Sequence, residues 1–264
     1  MNIFIRELKA NLKSLLIWSV IIALLIVMAA SKFSAFAGDP EMLKILDSMP
    51  PAMLDVFNMR AFNLTTLSGF YGIMFIYFGL MGAIASAMWG SDIISKEERD
   101  KTVEFALTLP VTRQKLITAK TAAAVINCIA LLLITWGITL ASAPKYQPDR
   151  EFYNFLSLSM LALFIMQMIF LAVGIFLGCA MKQYRRAGSI AVSLLLATYI
   201  LSIFSSLNKN LEFLKYFSPF KYFDPVKLLH ESKMDILFVV LSAAIIVISL
   251  VGAYVSYAKR DLYI

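Results

Sequence analysis

Charge is scarce in this chain, and so are the residues that most often carry chemistry. Only 16% of its 264 residues are Asp, Glu, Lys or Arg, against about 25% in soluble domains. There is one histidine, His230, which has no ligand set around it and reads as an ordinary exposed side chain. The two cysteines, Cys128 and Cys179, have no metal-ligand spacing and lie inside apolar runs, so packing is their expected use rather than a disulfide or a zinc site. A G-x-x-x-x-G-K-[ST] phosphate loop is also missing, which leaves the chain without that cradle for ATP. The sequence offers no catalytic, cofactor-binding or metal-binding constellation.

Apolar residues are what it has. They make up 60% of the chain, with a mean hydropathy of +0.78, more than a water-soluble fold hides. Six apolar runs stand out, at about 15–36, 67–90, 121–142, 155–181, 188–207 and 236–257. Each suits a helix that crosses the roughly 30 Å hydrocarbon core with some tilt. Membrane β-strands would alternate polar and apolar residues, and these runs are nearly continuous. The expected fold is an all-α, polytopic membrane protein of about six spans, forming one membrane domain over 1–264. No Asp, Glu, Lys, Arg or His lies near the middle of a run, and Asn127 and Gln167 are the modest polar exceptions. Ion- and proton-coupled carriers usually need such a group.

The net charge of +7 points to orientation rather than to nucleic acid, because the basic residues cluster beside the runs. With the N-terminus inside, the cytoplasm receives Arg6, Lys9 and Lys13, then Lys96, Arg99, Lys101, Arg113, Lys115 and Lys120. It also receives Lys182, Arg185, Arg186, Lys259 and Arg260. The outside keeps Lys32, Lys44, Arg60, Lys145, Arg150 and five lysines from Lys209 to Lys233, so the bias is modest by count. The short basic turn at 182–186 carries the strongest signal, and it places both termini in the cytoplasm. An Ala35-Phe36-Ala37 pattern invites a signal-peptidase reading, but the first run is longer than a signal core, and an uncleaved first span is expected.

In the first fourteen residues, Arg6, Lys9 and Lys13 share one helical stripe, and Ile5, Leu8, Leu12 and Leu15 share another. This is the pattern of an interfacial helix leading into the first span; a plain basic flank is the alternative.

The connection 91–120 reads as two helices with a break. Ser95-Lys96-Glu97-Glu98 has the form of a capping box. Glu97 and Lys101 form an i,i+4 pair, and Pro110 ends the element. Thr112 is the expected cap of the next helix, with Val111 and Leu116 as a hydrophobic staple. Between these ends, Val103, Ala106, Leu107 and Pro110 make one apolar stripe, and Thr102, Phe105 and Leu109 make a second. One stripe can rest on the membrane and the other fill a partner's groove, or both can pack on the chain's own helices.

The stretch Glu98-Arg99-Asp100-Lys101-Thr102-Val103-Glu104-Phe105-Ala106-Leu107-Thr108-Leu109-Pro110-Val111-Thr112-Arg113 resembles the E-x-x-G-T-x-E-x-L-L-x-x-P-V-S-R signature of type 2 ABC exporter permeases. Ala106 and Thr112 are conservative departures, and Lys101 stands where the family usually has Gly. The resemblance implies a coupling helix that docks on a nucleotide-binding subunit through Glu98, Thr102, Glu104, Leu107, Pro110 and Arg113, a docking side to which the apolar stripe adds Val103 and Ala106. It further implies a non-enzymatic, multi-pass permease of an exporter in a bacterial plasma membrane. Its partners would be a second identical or homologous permease and cytoplasmic ATPase subunits, and ATP and magnesium would be bound by the ATPase. An ATP-independent carrier or channel, and a membrane scaffold or sensor, are the competing classes.

The run from Leu214 to Pro225 is similar to that family's external segment between its last two spans, and the ending 257–262 resembles its basic tail. Physically, the aromatics Phe213, Tyr216, Phe217, Phe220, Tyr222 and Phe223 suit the headgroup boundary, and Asp224-Pro225 suits the start of a short helix. The segment either roofs a pathway or anchors the chain at the interface. In the first external loop, Asp39-Pro40 and Pro50-Pro51 punctuate two short amphipathic stretches around 42–46 and 53–57. Gly82, Ser86 and Gly90 recur every fourth position, and Gly174 and Gly178 form G-x-x-x-G. Both rows permit close helix contact, within the subunit or across a dimer seam.

Overall fold

Within a bilayer the backbone must bond to itself, so long apolar runs become helices. The computed structural model describes residues 3–37, 48, 50, 54, 62–99, 112–181 and 183–259, among which there is no strand. The elements are α1 (Ile3–Phe36), α2 (Leu67–Arg99), α3 (Arg113–Ser142), α4 (Arg150–Ala180), α5 (Tyr184–Leu207), a short α6 (Pro225–His230) and α7 (Ile236–Ala258). Helices of the 3-10 type follow α3, at Ala143–Tyr146, and precede α6, at Lys209–Phe217 and Pro219–Lys221. All the elements but α6 and these tighter turns are long and apolar enough to cross a membrane. The protein is an all-α polytopic membrane protein with short helical elements between its last two spans. We term the side on which α1 begins the N-terminal face and the other the distal face.

Helix starts follow local capping chemistry. The Thr112 side chain accepts from the Lys115 N–H at 3.3 Å, as expected from the sequence, and Asp149 accepts from Phe152 at 2.9 Å. Asp224, followed by Pro225 in the first turn of α6, accepts from Val226, and Asp235 accepts from Leu237, both at 3.0 Å. Each carboxylate meets an N–H that the first turn leaves unbonded.

Two boundaries differ from expectation. The amphipathic N-terminal stretch is helical but joins the first span without a break. At 1.5 Å per residue, the 34-residue α1 is about 51 Å long, well beyond a hydrocarbon core of about 30 Å. Ser95 starts no new helix either. α2 runs through it to Arg99, and the buried Ser95 hydroxyl donates to the Ser91 carbonyl oxygen at 2.5 Å. The capping-box pattern is thus overridden by an intact preceding turn, which leaves no unbonded N–H to cap. The stretches at 42–46 and 53–57 lie outside the described residues, apart from Leu54, which is buried.

The α2–α4 pair forms the centre of the fold and has the largest helix–helix interface. Its two rows of small residues mesh with each other. A Cβ added at Gly174 would lie 2.6 Å from the Ala87 carbonyl oxygen, and one at Gly178 would lie 2.7 Å from that of Ser91. One at Gly90 would collide with the Leu171 carbonyl oxygen, and one at Gly82 would meet the Gln167 amide. The small residues therefore serve packing inside the subunit. Phe75, Phe155, Met166 and Ile169 fill the surrounding core, while α1, α5 and α7 keep apolar side chains such as Leu16, Phe204 and Ile248 on the outside. Cys128 and Cys179 are buried free thiols, and Cys128 lies 3.3 Å from the Ser86 hydroxyl.

Gly174→Ala is expected to lower stability by about 1–3 kcal/mol through overpacking against backbone that has no room to yield. Gly137→Ala, where nothing lies within 4 Å of the new methyl, serves as the control and should be neutral or mildly stabilising. Thermal unfolding of both variants in one detergent checks the contrast.

Candidate functional site

The motif segment is framed by the end of α2 and the start of α3, both on the N-terminal face. Of the residues assigned to it, Thr102, Val103, Glu104, Ala106, Leu107 and Pro110 lie outside the described residues. Glu98 falls in the last turn of α2, and its side chain is likewise outside the description. Arg113 is the first residue of α3.

Arg113 points across to the far end of the chain. Its Nη1 donates to the Tyr257 carbonyl oxygen at 3.3 Å, and its guanidinium carbon lies 6.0 Å from the centre of the Tyr257 ring. Tyr257 is in the last turn of α7, where a cation is favoured by the helix dipole, and its carbonyl oxygen also accepts from the Lys259 N–H. One turn further along α3, the Thr118 hydroxyl donates to the Gln114 carbonyl oxygen at 2.8 Å. Its 2.7 Å contact with Tyr254 must therefore use the phenol proton. These contacts tie the beginning of α3 to α7.

A buried ion cluster ties the same region to α1. Glu7 on α1 lies 2.9 Å from the Lys96 ammonium on α2 and 3.6 Å from the Lys120 ammonium on α3. Arg6 adds a weaker approach at 3.7 Å. The Lys120 side chain is 0% exposed, and that of Glu7 is 4% exposed. Lys120 also donates to the Ile93 carbonyl oxygen at 2.7 Å, which binds α3 to α2 directly. Removal of charges from water costs several kcal/mol per ion, and here the Glu7 carboxylate offsets that cost for both ammonium groups, with the Ile93 carbonyl adding to it at Lys120. One carboxylate thus joins the ends of three helices immediately beside the motif segment.

From sequence alone, Lys96 and Lys120 count among the basic residues that set membrane orientation, and Glu7 has no role. A signal was present: Glu7 is the only carboxylate before Asp39, set within an otherwise basic amphipathic stretch. Beside the cluster, a groove of about 1260 Å³ runs between α1, α2 and α5, lined by Lys13, Trp18, Trp89, Asp92, Lys96 and Ser189. The Trp89 indole N–H donates to the Ser14 hydroxyl at 2.9 Å and pins α2 to α1 at its wall.

Six apolar helices, four of them packed around a glycine-meshed pair, with a buried ion cluster at the N-terminal face, define a multi-pass transmembrane subunit. The family model described as ABC-2 family transporter protein matches residues 1–262, and the chain belongs to that family of transporter permeases. No curated protein matches it significantly.

Glu7→Gln is expected to destabilise the protein by about 3–5 kcal/mol, because it leaves a buried ammonium facing a neutral amide. Lys96→Gln should cost less, since the Lys96 side chain keeps 19% exposure and Lys120 remains paired. Unfolding midpoints of the two variants in detergent test this order.

Proposed function

We propose that the protein is the permease half of an ATP-driven exporter, one membrane domain over 1–264 that catalyses no covalent chemistry itself. It pairs with a second identical or homologous permease and with two cytoplasmic ATPase subunits, which bind ATP and magnesium. In this reading the N-terminal face is cytoplasmic, with both termini on that side of a bacterial plasma membrane. The apolar outer faces of α1 and α5 meet lipid or the second permease.

The observation that carries the reading is the placement of the motif segment. It connects α2 to α3, whose ends are joined to α1 through Glu7 and to α7 through Arg113. A push on 100–111 from a closing ATPase pair therefore reaches four helices through short, stiff contacts. The permease then exchanges inward-facing and outward-facing or occluded arrangements. Glu98, Thr102, Val103, Glu104, Ala106, Leu107 and Pro110 form the docking side, and Arg113 passes the load to α7. The groove between α1, α2 and α5 is the substrate's approach from the N-terminal face.

Leu107→Asp is the deciding variant. A carboxylate in the docking contact must be buried at a cost of at least several kcal/mol or force the segment away, and coupling is lost by either route. Membrane levels should stay normal while ATPase co-purification and transport fall; intact association and transport would refute the coupling assignment. Orientation has its own test. A cysteine placed at Lys227 should react with an impermeant thiol reagent in intact cells and one at Arg185 should not, and the reverse pattern would invert the topology.

A further inference from the structure

The distal face carries a pocket of about 270 Å³ between the 3-10 segments, α6 and the start of α7. This is smaller than the roughly 300–1,000 Å³ of sites that enclose whole drug-sized molecules, and it suits a headgroup or an ion. Four lysines, Lys215, Lys221, Lys227 and Lys233, line it together with three carboxylates, Glu212, Asp224 and Asp235. The carboxylates are engaged. Glu212 holds Lys215 at 2.7 Å, while Asp224 and Asp235 accept from the helix N–H groups of Val226 and Leu237.

The other three lysines are not matched in this way. Among the described residues, no carboxylate oxygen comes within 4.0 Å of the Lys221, Lys227 or Lys233 ammonium. Lys227 and Lys233 are exposed at the rim, whereas Lys221 is half-buried. Burial pushes the Lys221 ammonium below the usual lysine range, against the pull of Asp224. A partly dehydrated cation with no contact ion pair gains more from an incoming anion than a fully hydrated one does.

The walls are preset. The Tyr222 ring stacks on Phe238 at 5.0 Å, and its hydroxyl donates to the Tyr216 carbonyl oxygen at 2.6 Å. Ser218, behind them, donates to the Thr198 carbonyl oxygen at 2.7 Å and fixes the segment to α5. Lys221 also lines a second cavity of about 150 Å³ that passes between α2 and α5 beside Tyr77, Tyr199 and Ile203. The exposed rings of Phe213, Tyr216 and Phe217 place the pocket at headgroup level.

We propose that this pocket is a phosphate site, in which Lys221, assisted by Lys227 and Lys233, holds the phosphate of an anionic lipid headgroup or a free phosphate ion. Lysine serves such a site as a compact point charge with three rotatable donors. The assignment is independent of which membrane face is cytoplasmic and of any ATPase partner, so it stands or falls apart from the coupling reading.

The test uses the full chain purified in a neutral detergent. Phosphatidylglycerol is compared with phosphatidylcholine, and inorganic phosphate with chloride at equal ionic strength. Thermal unfolding and lipid retention in native mass spectrometry are the readouts. The wild type is expected to retain phosphatidylglycerol preferentially or to be stabilised by phosphate. Lys221→Gln should bind about tenfold or more weakly, the loss expected for one charge-assisted contact, and Lys221→Arg should restore much of it. Phosphatidylglycerol binding without a phosphate effect identifies a lipid headgroup; stabilisation by phosphate alone identifies the free ion. Should Lys221→Gln fail to fold, the Lys227→Gln/Lys233→Gln double variant, at two exposed positions, must show the weakening instead. Equal behaviour of the two lipids and no phosphate effect in the wild type, or wild-type binding by a folded charge variant, would overturn the proposal.

Discussion

The close approach of the α2 and α4 backbones is the constraint on which the other contacts depend. Glycines at 90, 174 and 178 let the two helices meet main chain to main chain, and Gly82 makes room for the Gln167 side chain. In a bilayer this matters more than it would in water, because lipid tails are as apolar as leucine and burial alone does not draw helices together. Dispersion at short range has to supply the cohesion, and it falls steeply with separation. With α2 and α4 fixed as a unit, α3, α5 and α7 find shaped surfaces to pack on, and α1 lies against α3 with its outer side left apolar.

Polar interactions are sorted by depth. Several near the N-terminal face link separate helices, both ionic, as in Glu7 with Lys96 and Lys120, and neutral, as in Trp89 with Ser14. Several within the spans are hydroxyls returned to their own helix, such as Thr135 to Leu131 and Thr139 to Thr135, each at 2.8 Å. Such bonds hide a donor without constraining a neighbour. The result is a membrane interior whose helices are held mainly by shape, and an end where charge and hydrogen bonds also tie them together.

Much of the fold was legible because it depends on length and apolarity alone. The runs at 67–90 and 236–257 appear as α2 and α7 with the same starts, and Thr112 and Asp224 cap the helices that their positions suggest. Ser95 was misread because a capping motif describes only the local sequence. Whether its turn begins a helix or continues one depends on the preceding residues and on burial. The ion cluster was illegible for a different reason: its members are 89 residues apart for Glu7 and Lys96, and periodicity reports only neighbours. The glycine rows were visible, but their partner was not, since the same spacing serves an internal seam or a dimer. The segment assigned to coupling rests on its resemblance to a family signature together with the contacts that frame it.

The 89-residue separation within the ion cluster also sets an order of assembly. At translation rates of about 5–20 residues per second, Glu7 exists for roughly 4–18 s before Lys96 has been made. Throughout that interval neither ammonium of the cluster is available to its carboxylate, and the first helix has no ionic tether to the rest. The charge contact with the third helix forms later still. The first helix is thus made early but locked late, by contacts that bury Glu7 and Lys120 and leave Lys96 partly exposed. Errors in insertion of the second or third helix would leave this lock open, with Glu7 facing only its neighbour Arg6 on a helix that has no ionic tether to the rest.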